Sequence, residues 1–386
     1  MSKIIASEYV SKGHPDKMAD QVSDAILDEC LRQDPNTRAG IEVLIKDNTV
    51  VLGGEITTNA IVDYDEIVKD VIDSLHFPES HDLNSENIKV VNLIGKQSQE
   101  INSGVDQSGD IIGAGDQGFC VGFASNETDV FMPLGIYIAK KICTYVASRN
   151  DLTLGPDTKA QVIVEYDEEG NAVCLKSILV STMHQNSLDE VRKQVRDIIL
   201  SNGMGVEDGV FERYIKDNDD IITVNPCGAW HIGGPVSDCG VTGRKIVVDQ
   251  FGGYANVGGG NLHGKDMTKV DRSAAYMARY IAKNIVAAGL AATAKVELSY
   301  MIGVPEPSSI NIELTRPKVD VELLKAWIKE NVSCTPKAII DRFAGTSPKF
   351  HNTATNGHYG VNGNEEMYPW EKLDLVEQLS ILRYSL

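Results

Sequence analysis

The chain has 386 residues, 42% apolar and 24% charged, which excludes a disordered chain and suits two or three domains with a sizeable core. A formal net charge of −19 argues against nucleic acid or an anionic membrane as partner, no apolar run reaches the ~18 residues that cross a bilayer, and "MSKIIASEYV" lacks the h-region of a signal peptide. The seven cysteines are scattered and form no C-x-x-C, which argues against a disulfide framework or a zinc site and points to the cytoplasm.

In chain order, "IIASEYV" from Ile4 alternates as a strand. A helix follows around Met18 to Leu31, with Met18, Val22, Ala25 and Ile26 on one face. The hairpin "GIEVLIK"/"TVVLGGEIT" turns at Asp47-Asn48, and the helix "DYDEIVKDVIDSL" and the strand "IKVVNLIG" complete a round. The order then repeats. "FCVGFAS", a helix at Leu134 to Ala147, the hairpin "AQVIVEYD"/"AVCLKSILVST", the helix "SLDEVRKQVRDIIL" and the strand "DIITVN" form the second round. A third runs from "KIVVDQF", read as a strand, through a helix at Asp271 to Ala288 that stops at Gly289. The hairpin "AKVELSYMIG"/"SSINIEL" and the helix "VELLKAWIKENV" follow. Each round reads β-α-β-β-α-β, the order of split βαβ sandwiches, at intervals of roughly 120 residues. The expectation is an α+β protein of three βαββαβ-type domains. Two polar connections stand outside the pattern: Gly95 to Ile112, and the C-terminal "SPKFHNTATNGHYGVNGNEEMYPWE".

Several polar clusters punctuate this frame. In "GHPDK", Pro15 suits a first helical turn and Asp16 complements the macrodipole there, worth ~0.3–1 kcal/mol. A cap needs neither His14 nor Lys17, so an anion site built on a helix N-terminus is the competing reading. "GAGDQG" (Gly113 to Gly118) has the G-x-G-x-x-G spacing, but a strand-like run follows it where a dinucleotide fold requires a helix. What remains is a glycine-lined turn presenting Asp116 and Gln117. Gly259 to Lys265 matches G-x(4)-G-K, yet Asp266 stands where a P-loop needs Ser or Thr. Thr268 with Asp271 reads either as a capping box or, for Asp271, as a second metal-binding carboxylate mirroring Asp16. Arg244, Lys245, Lys265, Lys269 and Arg272 concentrate positive charge in an acidic chain. Glu42 and Glu55 accompany the first hairpin and require partners if buried. His76, His81, His184 and His351 have no recognisable partners and read as surface or core residues.

"GHPDK", "GGEIT", "IGKQS", "GAGDQG", "GGPVSDCGVTGRK" and "HGKDMTKVDRSAAY", in that order, closely resemble the methionine adenosyltransferase (S-adenosylmethionine synthetase) family, from about Ser7 to Trp370. The resemblance implies three α+β domains related by pseudo-threefold symmetry: 1–100, then a mobile gating loop at 101–112, then 113–231 and 232–386. It also implies a homodimer or homotetramer with sites at the dimer interface. The implied reaction is attack of methionine sulfur on C5′ of ATP, followed by hydrolysis of the released tripolyphosphate to phosphate and pyrophosphate.

Carried over by position, His14, Lys159 and Lys265 are the catalytic residues. ATP would meet His14, Asp157, Thr158, Lys159, Trp230, Asp238, Arg244, Lys245 and Lys265. Methionine would meet Glu55, Gln97, Asp116, Asp238 and Lys269. Asp16 and Asp271 would hold two magnesium ions, and Glu42 a potassium ion. Two departures stand out. The family's Arg-Phe at the adenine pocket is Ala229-Trp230, and its "HGGGAFSGKD" reads "VGGGNLHGKD", which puts Asn261 and His263 where small residues are usual. A relaxed base preference is one expectation from them. The rival readings are an ATP-dependent phosphotransferase using the P-loop-like segment, and a non-catalytic nucleotide-binding subunit on the same fold.

Overall fold

The computed structural model describes residues 2–96, 112–149, 153–343, 349–361 and 363–383. Strand β1 (Lys3–Val10) leads into helix α1 (Pro15–Gln33), which has Pro15 in its first turn and His14 as N-cap. The hairpin β2 (Arg38–Lys46)/β3 (Thr49–Thr57) buries Ala39, Ile41, Val43 and Ile45 on one face and leaves Glu42 and Leu44 on the other. Helix α2 (Tyr64–Asp73), capped by Asp63, and strand β4 (Lys89–Asn92) follow.

The second round comprises β5 (Gly118–Ser125), α3 (Leu134–Ala147), β6 (Leu154–Tyr166), β7 (Ala172–His184), α4 (Leu188–Leu200) and β8 (Ile222–Val224). The third comprises β9 (Gly240–Val241), the short helix α5 (Ile246–Asp249), α6 (Val270–Ala287), β10 (Thr293–Tyr300), β11 (Ser309–Thr315) and α7 (Val321–Asn331). Gly289 closes α6 with a φ of +71°, as its C-terminal position suggested. Helices α8 (Pro336–Phe343) and α9 (Phe350–Asn356) lie in the C-terminal part.

Three sheets form, two mixed and one antiparallel, and their strands are exchanged between the sequence rounds. The orders are β9-β2-β3-β4, β1-β6-β7-β8 and β5-β10-β11. The strand that opens each round therefore pairs antiparallel with the hairpin of the next round, cyclically: β1 with β6, β5 with β10, and β9 with β2. In the first two rounds the closing strand adds parallel to the hairpin, β4 to β3 and β8 to β7. Helix α1 covers β2 and β9, α3 covers β6 and β1, and α6 covers β5 and β10. Gly122 permits the last of these contacts, since a Cβ there would lie 2.0 Å from the α6 backbone at Ala278.

One expected strand is a helix. "KIVVDQF" forms α5, and the two-residue β9 upstream takes the strand position. A run of three consecutive apolar residues does not set a period by itself. The helical turn sends Val248 and Asp249 inward, where Asp249 meets the Lys17 ammonium at 2.6 Å.

The C-terminal polar segment is anchored at several points. Trp370 is fully buried and stacks on Tyr276 with ring centroids 3.6 Å apart. Glu371 pairs with Arg279 at 2.9 Å and Lys283 at 2.7 Å. Asp28 of α1 accepts hydrogen bonds from the Phe350 and His351 amides. Among the described residues, no helix is long and apolar enough to cross a membrane.

Candidate active site

Strand exchange assembles the first of two polar clusters. Because β1 runs antiparallel to β6, Val10 stands opposite Lys159. Hydrogen bonds from Ser11 N to Thr158 O (2.9 Å) and Gly13 N to Pro156 O (3.1 Å) carry the pairing on into "GHPDK". His14 is thereby delivered to the start of β6. Its Nδ1 accepts the Asp16 amide at 3.1 Å, which leaves Nε2 to carry the proton of the neutral ring. Burial first, and then Lys245 and Lys159, push this imidazole down to about 2, so it is uncharged.

Asp16 does not cap α1. Its Oδ1 accepts the Val241 amide at 2.9 Å, and its Oδ2 lies 2.5 Å from Lys245 Nζ, with Arg244 3.6 Å from Oδ1. Asp157 accepts the Gly234 amide at 2.8 Å, while its buried Oδ1 has no hydrogen-bond partner. Burial lifts that carboxyl to about 7, against the pull of the Gly234 hydrogen bond and Lys159. Thr158 is buried with its hydroxyl 2.8 Å from Thr182 Oγ1, so only its main chain belongs to this cluster. Asp238 is exposed and accepts the Cys239 amide at 2.8 Å. Trp230 is held on the neighbouring loop by its amide to His184 Nε2 (3.2 Å) and its indole N–H to Ile232 O (2.7 Å).

The second cluster lies around the start of α6. Lys265 pairs with Asp271 at 2.7 Å and bridges to Gly40 of β2, whose register partner is Glu55. Glu42, two residues along β2, is exposed at the surface, yet the surrounding protein partly desolvates its carboxyl and raises it, with Lys265 opposing the shift. Both Glu42 and Glu55 are on the open face of the hairpin. The Gly113–Gly118 turn backs onto the same helix start: Gly115 packs on Thr268 O and the Lys269 stem, and Gly118 lies beside Val270 and Asp271. This brings the exposed Asp116 into the neighbourhood of Lys269, whose ammonium is 3.1 Å from Asp266.

The capping-box alternative for Asp271 fails. Lys269 is the N-cap of α6 without a side-chain cap, and the Thr268 hydroxyl donates to Asp266 at 2.6 Å. The Asp271 carboxylate is left to Lys265 and lies against Gly260, where a Cβ would come within 2.1 Å of the carboxyl carbon. Gln97 and residues 101–111 of the expected gate lie outside the described residues.

The two clusters share one edge of β2. β9 pairs at Leu44 and Ile45, and Lys265 bridges at Gly40. Four residues of strand separate them, about 13 Å at ~3.3 Å per residue.

Sequence reasoning missed the residues that support these loops. His81 is buried and its Nε2 accepts the Gly233 amide at 3.2 Å, while His184 accepts the Trp230 amide. The only sequence signal for His263, which lies at the centre of a buried ionic group, was its departure from the family pattern. Their partners lie too far away in sequence for spacing to reveal them.

Comparison with known proteins agrees with the resemblance. Family models described as the N-terminal, central and C-terminal domains of S-adenosylmethionine synthetase match residues 2–99, 111–230 and 232–372. An S-adenosylmethionine synthase of Mesoplasma florum is 42% identical over 386 aligned residues, covering 98% of this chain and 100% of that protein. The solved structure of an unusual S-adenosylmethionine synthetase from Campylobacter jejuni is similar with a TM-score of 0.87. It is 36% identical, and the match covers 98% of this chain and 99% of that one.

Proposed function

Because the chain belongs to the S-adenosylmethionine synthetase family and forms S-adenosylmethionine, we propose that it joins the sulfur of methionine to C5′ of ATP. Tripolyphosphate leaves whole, and the same site then cleaves it to phosphate and pyrophosphate. A thioether sulfur is nucleophilic without losing a proton, so the reaction needs no general base. Its barrier lies in the charge that builds on a leaving group already strongly anionic, and fixed cations and donors aimed at those oxygens lower it.

His14 suits the departing oxygen. Its Nδ1 is occupied by the Asp16 amide, so the Nε2–H is the free donor. Lys159, Arg244, Lys245 and Lys265 supply the positive charge, and the Asp157 carboxyl has a free buried oxygen suited to ribose hydroxyls. Trp230 offers an aromatic face to adenine. Asp238, Glu55, Asp116, Lys269 and Gln97 would take the polar groups of methionine.

The carboxylates at the two helix starts fit magnesium. Both offer hard oxygen donors, both stand beside a phosphate-facing lysine, and Asp271 lies in a cradle that a Cβ at Gly260 would fill. Asp16 and Asp271 would hold the two ions, which supply charge neutralisation to the polyphosphate when bound. Glu42 would give one oxygen to potassium.

The ~13 Å between the clusters supports a homodimer, or a tetramer of such pairs. A second copy laid on the open β2–β3 face would bring its Lys265 cluster to this chain's His14 cluster. The seven free cysteines support a reducing, cytoplasmic setting.

The observation that carries this reading is the convergence of a neutral His14 with Lys159, Arg244, Lys245 and the Asp16 carboxylate at one helix start. Incubation with ATP, methionine, Mg²⁺ and K⁺ tests it. S-adenosylmethionine with phosphate and pyrophosphate is expected, whereas ADP would point to phosphoryl transfer instead.

A further inference from the structure

Behind the two phosphate-facing loops lies a buried ionic group that the reaction does not use. Helix α1 contributes Lys17, Asp20 and Asp24, α5 contributes Asp249, α6 contributes Arg272, and the chain beyond α9 contributes His358. His263 sits among them. Its Nδ1 is 2.7 Å from Asp24 Oδ2, and its Nε2 is 3.2 Å from Asp249 Oδ2, 3.6 Å from Asp20 Oδ2 and 3.1 Å from His358 Nε2.

The same aspartates hold the loops. Asp20 Oδ1 accepts the Gly243 amide at 2.9 Å, and Asp24 Oδ1 accepts the Gly264 amide at 2.8 Å together with Arg272 at 2.6 Å. Gly243 immediately precedes Arg244 and Lys245, and Gly264 immediately precedes Lys265. Asn261 braces the turn, because its side-chain amide exchanges hydrogen bonds with the His263 main chain at 2.9 and 3.0 Å.

The group needs one proton beyond its fixed charges. Burial raises the Asp20 carboxyl, but His263, 2.7 Å from Asp24 and 3.2 Å from Asp249, lies between two further carboxylates and is the group placed to carry that proton as an imidazolium. Three buried carboxylates (Asp20, Asp24, Asp249) face two fixed cations (Lys17, Arg272), and a buried charge without a counterpart is strongly unfavourable. The donor atoms of Asp249, His263 and His358 lie within 4.8 Å of one another, a spacing that would admit a metal ion. The Lys17 ammonium, however, already stands 2.6 Å from Asp249, 3.0 Å from Asp20 and 3.1 Å from His263 Nε2, and it would repel a dication.

We propose that His263 is a positioning residue for polyphosphate binding. Its positive charge neutralises the aspartates that pin the Gly243 and Gly264 amides to α1, and so fixes Arg244 and Lys245 in one cluster and Lys265 in the other, each for the polyphosphate it meets. The inference rests on the polyphosphate reading above. It extends to pH, with Lys17, Asp20, Asp24, Asp249, Arg272 and His358 facing the imidazole, Tyr276 behind His358, and Tyr9 facing Lys17. Burial disfavours the charge, but Asp20, Asp249 and Asp24 together raise the imidazole to about 9, against Lys17. This stabilising charge is fully present below the ordinary histidine range near 6.5 and is lost as pH rises through about 9.

The test is calorimetric titration of tripolyphosphate with Mg²⁺ into the full-length wild type, His263→Ser and His263→Gln between pH 7 and 9.5, with KM and kcat measured alongside. Both variants are expected to bind about tenfold more weakly at pH 7. The gap should close toward pH 9.5, and KM for ATP should rise more than kcat falls. Equal binding by folded variants at pH 7 would overturn this inference alone, whereas no binding by the wild type would overturn it together with the polyphosphate reading. If the variants do not fold, the wild type decides: affinity falling as pH passes 9 supports the proposal, and a flat profile sinks it. One tightly held transition-metal ion per chain in the purified wild type would overturn it as well.

Discussion

Lys245 places its ammonium 2.5 Å from the Asp16 carboxylate, across 229 positions of sequence, and Lys265 has the same relation to Asp271 at 2.7 Å. Each is a cation from a glycine-rich loop resting on a carboxylate at a helix start. A polyphosphate with its metal would re-partner both sides at once, so neither charge has to be left alone in either state.

Lys265→Met should lower kcat for S-adenosylmethionine formation by about 10²–10³, the loss typical of removing one preorganised stabiliser of developing charge. Steady-state assay beside a thermal melt checks this. A drop under fivefold in a folded variant would remove Lys265 from the chemistry.

His14→Ala removes both the acceptor for the Asp16 amide and the Nε2 donor. Urea unfolding should show about 1 kcal/mol of lost stability from the cap, and kcat should fall at least a hundredfold. His14→Asn, which keeps an acceptor and a donor, should recover the stability and part of the rate.

Trp230→Ala should raise KM for ATP by roughly 5–150-fold, the equivalent of 1–3 kcal/mol of base stacking, with kcat changed little. Stacking tolerates any base, so the wild type should also use GTP measurably. Strict ATP dependence would end the expectation of relaxed selectivity.

Glu371→Gln should cost about 3–5 kcal/mol at pH 7, because Arg279 and Lys283 lose a buried counter-charge. Burial opposes ionisation of Glu371, but those two cations outweigh it and hold the carboxyl below its ordinary range. Its contribution is therefore present above the usual carboxylate range near 4.3 and is lost as pH falls below it. Urea melts at pH 7 and pH 4 should show the difference between wild type and variant shrinking with acid.

The secondary structure was largely legible because most elements carry a strong period. The α1 stripe, the alternation of β2 and the Leu134–Ala147 helix appear where the spacing puts them. "KIVVDQF" was not legible, because its short apolar run sets no period, and the partner that its helical turn brings to Asp249, Lys17, lies over two hundred residues away. The competing roles of Asp271 were equally undecidable locally. What separates them is that Thr268 hydrogen-bonds Asp266, and that Lys265 reaches Asp271 across the turn.

Periodicity, turn residues and ordered polar motifs, which are properties of neighbouring positions, determined the element order, the threefold recurrence and the candidate residues. Which strand joins which sheet was decided only in three dimensions, because pairing energy does not depend on the order of the partners along the chain. That cyclic exchange carries His14 to β6, and Arg244 and Lys245 to α1. Buried charge balance, likewise a property of the assembled interior, gave His263 its surroundings.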